Sequence, residues 1–230
     1  MFGSTYVRIK AKLELLKYMV EHKQGKIPDF EYGILKDFLS SYERWGQTQL
    51  YQTHPKLSLR GARPTISRYI TYGLDEYLHK AMNVLDIGSN TGFFGLYVAD
   101  KVDWVNLVEA NPKLCNICKK VRDELEITNV SVRNNDITKY KTSIKYNAIF
   151  SFAIHKWLDI SLDEYFIILK NLLKKEGFVL IETHGIKLDE QDELETFIKE
   201  RQNMFYIEKE GLIDDQTGRL RKFFYLRLEE

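Results

Sequence analysis

The residues best placed for chemistry sit between Val84 and Gly92, where Asp86, Gly88, Asn90 and Gly92 follow an apolar strand and precede a helical pattern from Phe93 to Ala99. Glycine at two positions lets the backbone turn tightly and lie close to a ligand. The start of the helix is expected to present unpaired backbone N–H groups to ligand oxygens. An acid, Glu109, closes the next apolar run from Trp104, 21 residues after Gly88. In nucleotide-binding α/β sheets an acid at about that spacing accepts hydrogen bonds from ribose hydroxyls. The loop keeps an Asp and has fewer glycines than a pyrophosphate-wrapping G-x-G-x-x-G, so it suits a ligand with a cationic end.

Taken together, Asp86, Gly88, Gly92 and Glu109 resemble the class I methyltransferases that depend on S-adenosylmethionine (SAM), over about residues 82–228. The resemblance implies a Rossmann-like, seven-stranded, mostly parallel α/β sheet with an antiparallel last strand. It implies SAM as cofactor and S-adenosylhomocysteine as product. Asp86 would meet the methionyl amine, directly or through water, and Gly88, Asn90 and Gly92 would lie against the methionine. Glu109 would hold the ribose, Asn135 and Asp136 would read the adenine amino group, and Phe152 would face the methyl donor. Amino-methylating relatives often carry an acidic or Asn-Pro-Pro signature at that strand end, where this chain has Ser151.

An acceptor should lie beyond the same strand ends. Two runs arrive there with polar groups. In the first, His155 follows an apolar strand and reads either as a general base for a hydroxyl or as a structural histidine. Lys156 reads as a phosphate or carboxylate ligand or as a solvated lysine. Trp157 reads as a stacking platform for a sugar or base or as a cap on the core. In the second run, Glu182 and His184 follow the next strand, and either would orient the acceptor or act as base. Upstream, Gln47, Gln49, Tyr51, Gln52, Arg60, Arg63, Thr65 and Arg68 form a polar cluster. Its arginines would grip a phosphate, sulfate or carboxylate by bidentate contacts, or make inter-segment salt bridges. The Trp45-Gly46-Gln47 run, Arg60 to Thr65, the His-Lys-Trp run and Glu182-Thr-His184 also resemble bacterial methyltransferases of surface-glycan biosynthesis, more loosely. In relatives with N-terminal helical extensions, that extension commonly lids the acceptor pocket.

These readings need elements to carry them. The 230 residues are enough for one sizeable core and an appendage, divided here into a helical extension or lid (1–80) and a SAM-binding domain (81–230). Residues 5–23 form a helix with Ile9, Leu13, Leu16 and Val20 on one face and basic residues on much of the other. Further helices are predicted over 29–42, 65–80 and 188–202. Asn111-Pro112 caps one helix, and Ser161 to Glu164 is a capping box opening another that runs to about Lys174. Strand and helix alternate, as in a parallel sheet. Two final strands, 205–208 and 221–228, form a hairpin.

Composition narrows the classes. A net charge of +1 gives no global attraction to polyanions. No apolar run suits a membrane span, no leader pattern is evident, and a cytoplasmic location is expected. Cys115 and Cys118 form a C-x-x-C, read as a redox or metal pair or as two small helix residues; with no further ligand pair, no metal site is expected. The leading functional expectation is O-methylation of a small polar acceptor: a sugar, a phosphorylated sugar or a glycan precursor. An RNA methyltransferase acting on a terminal phosphate or tRNA nucleotide is the alternative, with Arg8, Lys10, Lys12, Lys17, Arg219, Arg221, Lys222 and Arg227 flanking the nucleic acid. A non-catalytic SAM-binding partner protein is the third.

Overall fold

The computed structural model describes residues 2–40, 49–185, 192–200, 204–214 and 220–229. Its centre is a seven-stranded sheet in the order β5-β4-β3-β6-β7-β9-β8. The strands are β3 (Asn83–Ile87), β4 (Trp104–Glu109), β5 (Val130–Asn134), β6 (Tyr146–Phe152), β7 (Leu173–Glu182), β8 (Phe205–Asp214) and β9 (Leu220–Leu228). The first five in that order run parallel, and β9 enters antiparallel between β7 and β8. The expected antiparallel hairpin is therefore present. The parallel strands read as continuous apolar runs because helices cover both faces: Val84, Leu85, Ile149, Phe150, Val179 and Leu180 are all buried.

The crossovers are α4 (Phe93–Val98), α5 (Pro112–Glu124) and α6 (Leu162–Leu172), with α7 (Glu193–Glu200) leading to β8. Local chemistry fixes their starts. The Asn111 side chain accepts from the Lys113 N–H, and Ser161 and Glu164 make the full capping box. Chain reversal after β3 is set by Gly88 and Gly92, both with positive φ. Lys174 to Gly177, expected to end the α6 unit, belong to β7, which begins at Leu173 and pairs Leu173 with Tyr146 before a register irregularity.

Upstream lie α1 (Phe2–Lys23), α2 (Asp29–Leu39), the short parallel pair β1 (Leu50–Gln52) and β2 (Gly61–Arg63), and α3 (Thr65–Tyr72). The helix expected over 65–80 stops at Tyr72 because Gly73 takes the left-handed cap conformation, φ 72°. The second helix ends at Leu39; Tyr42 lies outside the described residues, as do Trp45, Gly46, Gln47 and Arg219. The apolar face predicted for α1 does not pack inward: Ile9, Leu13, Leu16 and Val20 are each about half exposed, while Ala11 and Tyr18, on the opposite side, are buried. Apolar residues occupy both sides of α1, so periodicity alone could not choose the inward one. Ala11, Tyr18, Ile34 and Phe38 join the same continuous core as Val84, Phe93 and Leu107. No helix among the described residues is long and apolar enough to cross a membrane.

Candidate active site

A cavity of about 310 Å³ opens at the C-terminal ends of the parallel strands, within the size range of small-ligand sites. Strand order divides its wall. Gly88 and Asn90 follow β3, Glu109 and Ala110 end β4, and Asn135 and Asp136 follow β5. On the other side of the β3/β6 boundary stand Phe152, Ala153 and Trp157 after β6, His184 after β7 and Arg221 at the start of β9. Tyr51 and Arg63, from β1 and β2, complete that second half. The boundary is the point where strand order reverses, the usual ligand crevice of an open α/β sheet.

The first half is built around Glu109. Its carboxylate accepts the backbone N–H of Asn90 (3.0 Å) and of Asn111 (2.7 Å), which ties the β3 loop to the α5 start. Asn134 donates to the carbonyls of Glu109 and Ala110, and the Asn135 N–H bonds the Glu109 carbonyl, so strands β4 and β5 end in register. Asp136 accepts from Thr138 through Oδ1. A Cβ on Gly88 would lie 2.1 Å from Ile154 Cδ1. Gly88 therefore has no room for a side chain, and the backbone itself forms the wall. These features fit a nucleoside with a cationic side arm.

Several expected contacts are not at the wall. Asp86 is 2% exposed, beneath the loop. Burial pushes its carboxyl up to about 7, although Arg68 pulls it down and Glu109 adds to the rise. Gly92 is a packing glycine: a Cβ there would meet Cys118 Sγ at 2.2 Å and Leu107 Cδ1 at 2.9 Å. The start of α4 is not an open anion seat either, because the Phe94 N–H is taken by the Gln52 side chain at 3.2 Å. Gln52, read as part of a recognition surface, is a helix cap instead. Cys115 and Cys118 are buried and unbridged, and burial pushes the Cys115 thiol up to about 11 and Cys118 higher. Neither is a ready thiolate.

Glu182, expected to orient the acceptor or act as base, is 1% exposed and enclosed by cations. Arg68 Nη2 lies 3.0 Å from its Oε1, Arg221 Nη1 lies 3.3 Å from its Oε2, and the Tyr72 hydroxyl donates to Oε1. Burial alone would raise its pKa, but Arg68 and then Arg221 hold it below the ordinary value. A carboxylate so committed is a counter-ion and not a base. Arg60 is also displaced from expectation, pointing toward α1 with Glu21 at 3.8 Å.

His184 stands at the wall, with the His155 ring 4.7 Å behind it, edge to face. Burial, and then His155 and Arg221, push His184 down to about 4. His155 is buried, with Nε2 3.1 Å from Asp192 Oδ1, and Lys156 reaches Asp192 Oδ2 at 3.1 Å instead of facing the cavity. Burial pushes Asp192 up, but His155 and Lys156 hold it well below the carboxylate range. Trp157 lines the cavity and is 62% exposed, so it is not part of the core. Arg221 Nη1 bonds the Tyr51 hydroxyl at 3.1 Å, and the Arg63 guanidinium lies 4.9 Å from the Tyr51 ring centre.

Sequence reasoning missed Ala153 and Asp192 and saw Arg221 only as a surface cation. Ala153 holds φ 54° and Asn90 φ 55°, two of the three non-glycine residues with positive φ among those described, and both line the cavity. Such strain collects at functional sites, but alanine carries no sequence signal of it. Arg221 reaches the site because β9 runs antiparallel to β7, which brings the start of β9 to the end of β7.

A sequence profile described as a methyltransferase domain matches residues 78–223. Among curated relatives, the small-subunit ribosomal RNA methyltransferase G of Borreliella burgdorferi (strain ZS7) is 34% identical over 99 residues, 42% of this chain and 44% of that protein. The match thus spans less than half of that relative's length. The protein of the same name from Malacoplasma penetrans is 24% identical over 200 residues, covering 79% of this chain and 84% of its own. Among solved structures, an rRNA methylase from Streptococcus thermophilus superposes with a TM-score of 0.55 at 14% identity, over 70% of this chain and 95% of that one. The N-methyltransferase NodS of Bradyrhizobium japonicum, solved with S-adenosylhomocysteine, gives 0.58 at 13% identity, over 71% and 85%. These structures share the fold. The chain belongs to the methyltransferase-domain family.

Proposed function

We propose that this enzyme O-methylates a small anionic polar acceptor, such as a phosphorylated sugar or glycan precursor. The observation that carries the reading is the division of the cavity: acids and amides on the β3–β5 side, two guanidiniums, three aromatic rings and an imidazole on the other.

SAM supplies an electrophilic methyl group on a sulfonium. Glu109, at the end of β4, would take the ribose hydroxyls. Asn135 and Asp136 would meet the adenine, and Gly88 and Asn90 would lie along the methionine. Phe152, between the halves, would face the methyl. Arg63 and Arg221 would supply fixed positive charge toward a phosphate or carboxylate. Tyr51 and Trp157 supply flat apolar surface for a sugar ring. Neutral His184 would accept the hydrogen bond of the reacting hydroxyl, aim its lone pair and pass its proton to solvent as the methyl leaves sulfur, with S-adenosylhomocysteine as the leaving group. Holding nucleophile and methyl in line is the main work left to the protein. The 1–80 segment contributes Tyr51 and Arg63 and so acts as a lid over the acceptor.

RNA as acceptor is the second reading, favoured by the names of the curated relatives and by the exposed basic residues Arg8, Lys10 and Lys12 on α1. Against it, Arg227 is paired with Glu208 at 2.6 Å, Lys222 with Glu195, and Arg221 lies inside the cavity. Of the expected flanking cations at the C-terminal end, Lys222 and Arg227 are thus committed within the fold, and Arg219 lies outside the described residues. Incubation with methyl-labelled SAM and a fractionated cell extract tests both readings. Label in small, anion-exchange-retained fractions supports the first. Label in RNA that ribonuclease removes, with binding that weakens steeply as salt rises, replaces it with the second.

A further inference from the structure

His155, His184 and Asp192 come from three separate segments: the turns after β6 and β7, and the residue before α7. Sequence spacing gave no hint of them as a set. One ligand-type atom from each lies within 4.8 Å of those of the other two. The side chains of His155 and Asp192 are 1% and 0% exposed. His155 Nδ1 and His184 Nδ1 are buried without a hydrogen-bond partner, while His155 Nε2 and Asp192 Oδ2 are held in the 3.1 Å contacts to Asp192 Oδ1 and Lys156 Nζ. A buried polar atom left unpaired is costly, and a fold that places two of them in one cluster calls for a reason.

We propose that these three residues form a divalent metal site of the two-imidazole, one-carboxylate type, with its open positions turned toward the acceptor half of the cavity. Two ligands at about 2.1 Å from a tetrahedral metal stand about 3.4 Å apart. His155 Nε2 and Asp192 Oδ1 are already at 3.1 Å. The third ligand, His184, lies within 4.8 Å of the other two, is the least buried of the three and flanks the cavity, so it is the one placed to close the remaining gap. Two imidazoles with one carboxylate favour a borderline first-row ion such as zinc, cobalt, iron or manganese over magnesium or calcium. In the absence of such an ion, Lys156 Nζ supplies the positive charge beside Asp192 Oδ2. Its side chain is 42% exposed, so it can swing into solvent when an ion arrives. On the reading given under Proposed function, the ion would bind an acceptor oxygen beside Trp157, and His184 would then act as its ligand in place of accepting the hydroxyl's hydrogen bond.

The test is a titration of the whole, chelator-treated chain with Co²⁺ and with Zn²⁺ alone, without SAM or acceptor. The expected result is one equivalent per chain, with a visible Co²⁺ absorption band typical of nitrogen and oxygen ligands. His184→Ala and Asp192→Asn should each weaken binding at least tenfold, while circular dichroism and S-adenosylhomocysteine binding report an intact fold. Lys156→Ala should bind the ion more tightly, because a competing cation has gone. Absence of binding, or binding equally strong in His184→Ala and Asp192→Asn, overturns the site. So does weaker binding in Lys156→Ala. Because no acceptor is present, failure here leaves the acceptor assignment standing, and a failed acceptor assay leaves the metal site standing.

Discussion

Arg68 and Glu182 meet at 3.0 Å, and their side chains are 3% and 1% exposed. The pair joins α3 to the end of β7, across 114 residues of sequence. Arg221 and Tyr72 complete the shell around the carboxylate. Above it the Arg68 guanidinium lies 4.6 Å from the centre of the Phe152 ring, which lines the cavity. The acceptor half therefore rests on a buried charge cluster whose sole acid in these contacts is Glu182.

Glu182→Gln should be strongly destabilising. Removing one partner of a buried pair typically costs about 3–5 kcal/mol, because the remaining charge is left uncompensated. Here two guanidiniums would be left. The folded-state pKa of Glu182 lies below its ordinary 4.5, so its contribution is present above that pH and is lost as pH falls through the folded value. Urea unfolding at pH 7 and at pH 4 checks both statements. A Gln variant as stable as the parent at pH 7 would remove the cluster from the account.

The two loop glycines should fail differently. Gly88→Ala drives a methyl group into Ile154 at the cavity wall, so cofactor affinity should fall by at least tenfold. Gly92→Ala drives it into Cys118 and Leu107 in the core, so thermal stability should fall while residual cofactor affinity at low temperature is kept. Adding Cys118→Ala to Gly92→Ala should recover part of the loss, with about 1 kcal/mol remaining from the positive φ. Calorimetric titration and thermal melts on the same samples separate the two. Equal loss of affinity in both variants would contradict the assignment of Gly92 to packing.

Asp86 sets a pH dependence of the opposite sign to that of Glu182. Its carboxyl titrates near 3.8 when exposed and at about 7 in the fold. Between those values the unfolded chain releases the proton and the folded chain keeps it, so stability falls as pH rises from the lower to the higher. Asp86→Asn removes this fall. The variant should gain on the parent as pH rises toward neutral, by on the order of 4 kcal/mol. Parallel stability profiles from pH 4 to 8 would show that burial does not hold Asp86 protonated.

Much of the sheet could be read from the sequence because its signals are local. Apolar runs, the Asn111 cap and the Ser161–Glu164 capping box each act over a few residues, and all appear where expected. Glu109 was legible because strand-end acids follow from sheet topology. What escaped was long-range. The commitment of Glu182 depends on Arg68 and Arg221, far away in sequence, and the Phe94 N–H is capped by Gln52 from 42 residues upstream. The inward face of α1 was misread because Ala11 and Tyr18 are weaker apolar signals than Ile9, Leu13 and Leu16, yet they are the ones buried. Asp192 was invisible because its partners are on β-strand ends that only the fold brings near it.

The division of the cavity into a cofactor half and an acceptor half is tested most directly by titrating S-adenosylhomocysteine into Glu109→Gln and Trp157→Ala. Losing charge-assisted hydrogen bonds to the ribose should cost Glu109→Gln about 1.5–3 kcal/mol, roughly ten- to a hundredfold in affinity. Trp157, on the other side of the strand-order boundary and exposed, should leave the dissociation constant within about twofold, while methyl transfer to the acceptor fraction falls sharply. Comparable loss of cofactor binding in Trp157→Ala, or none in Glu109→Gln, would contradict the division.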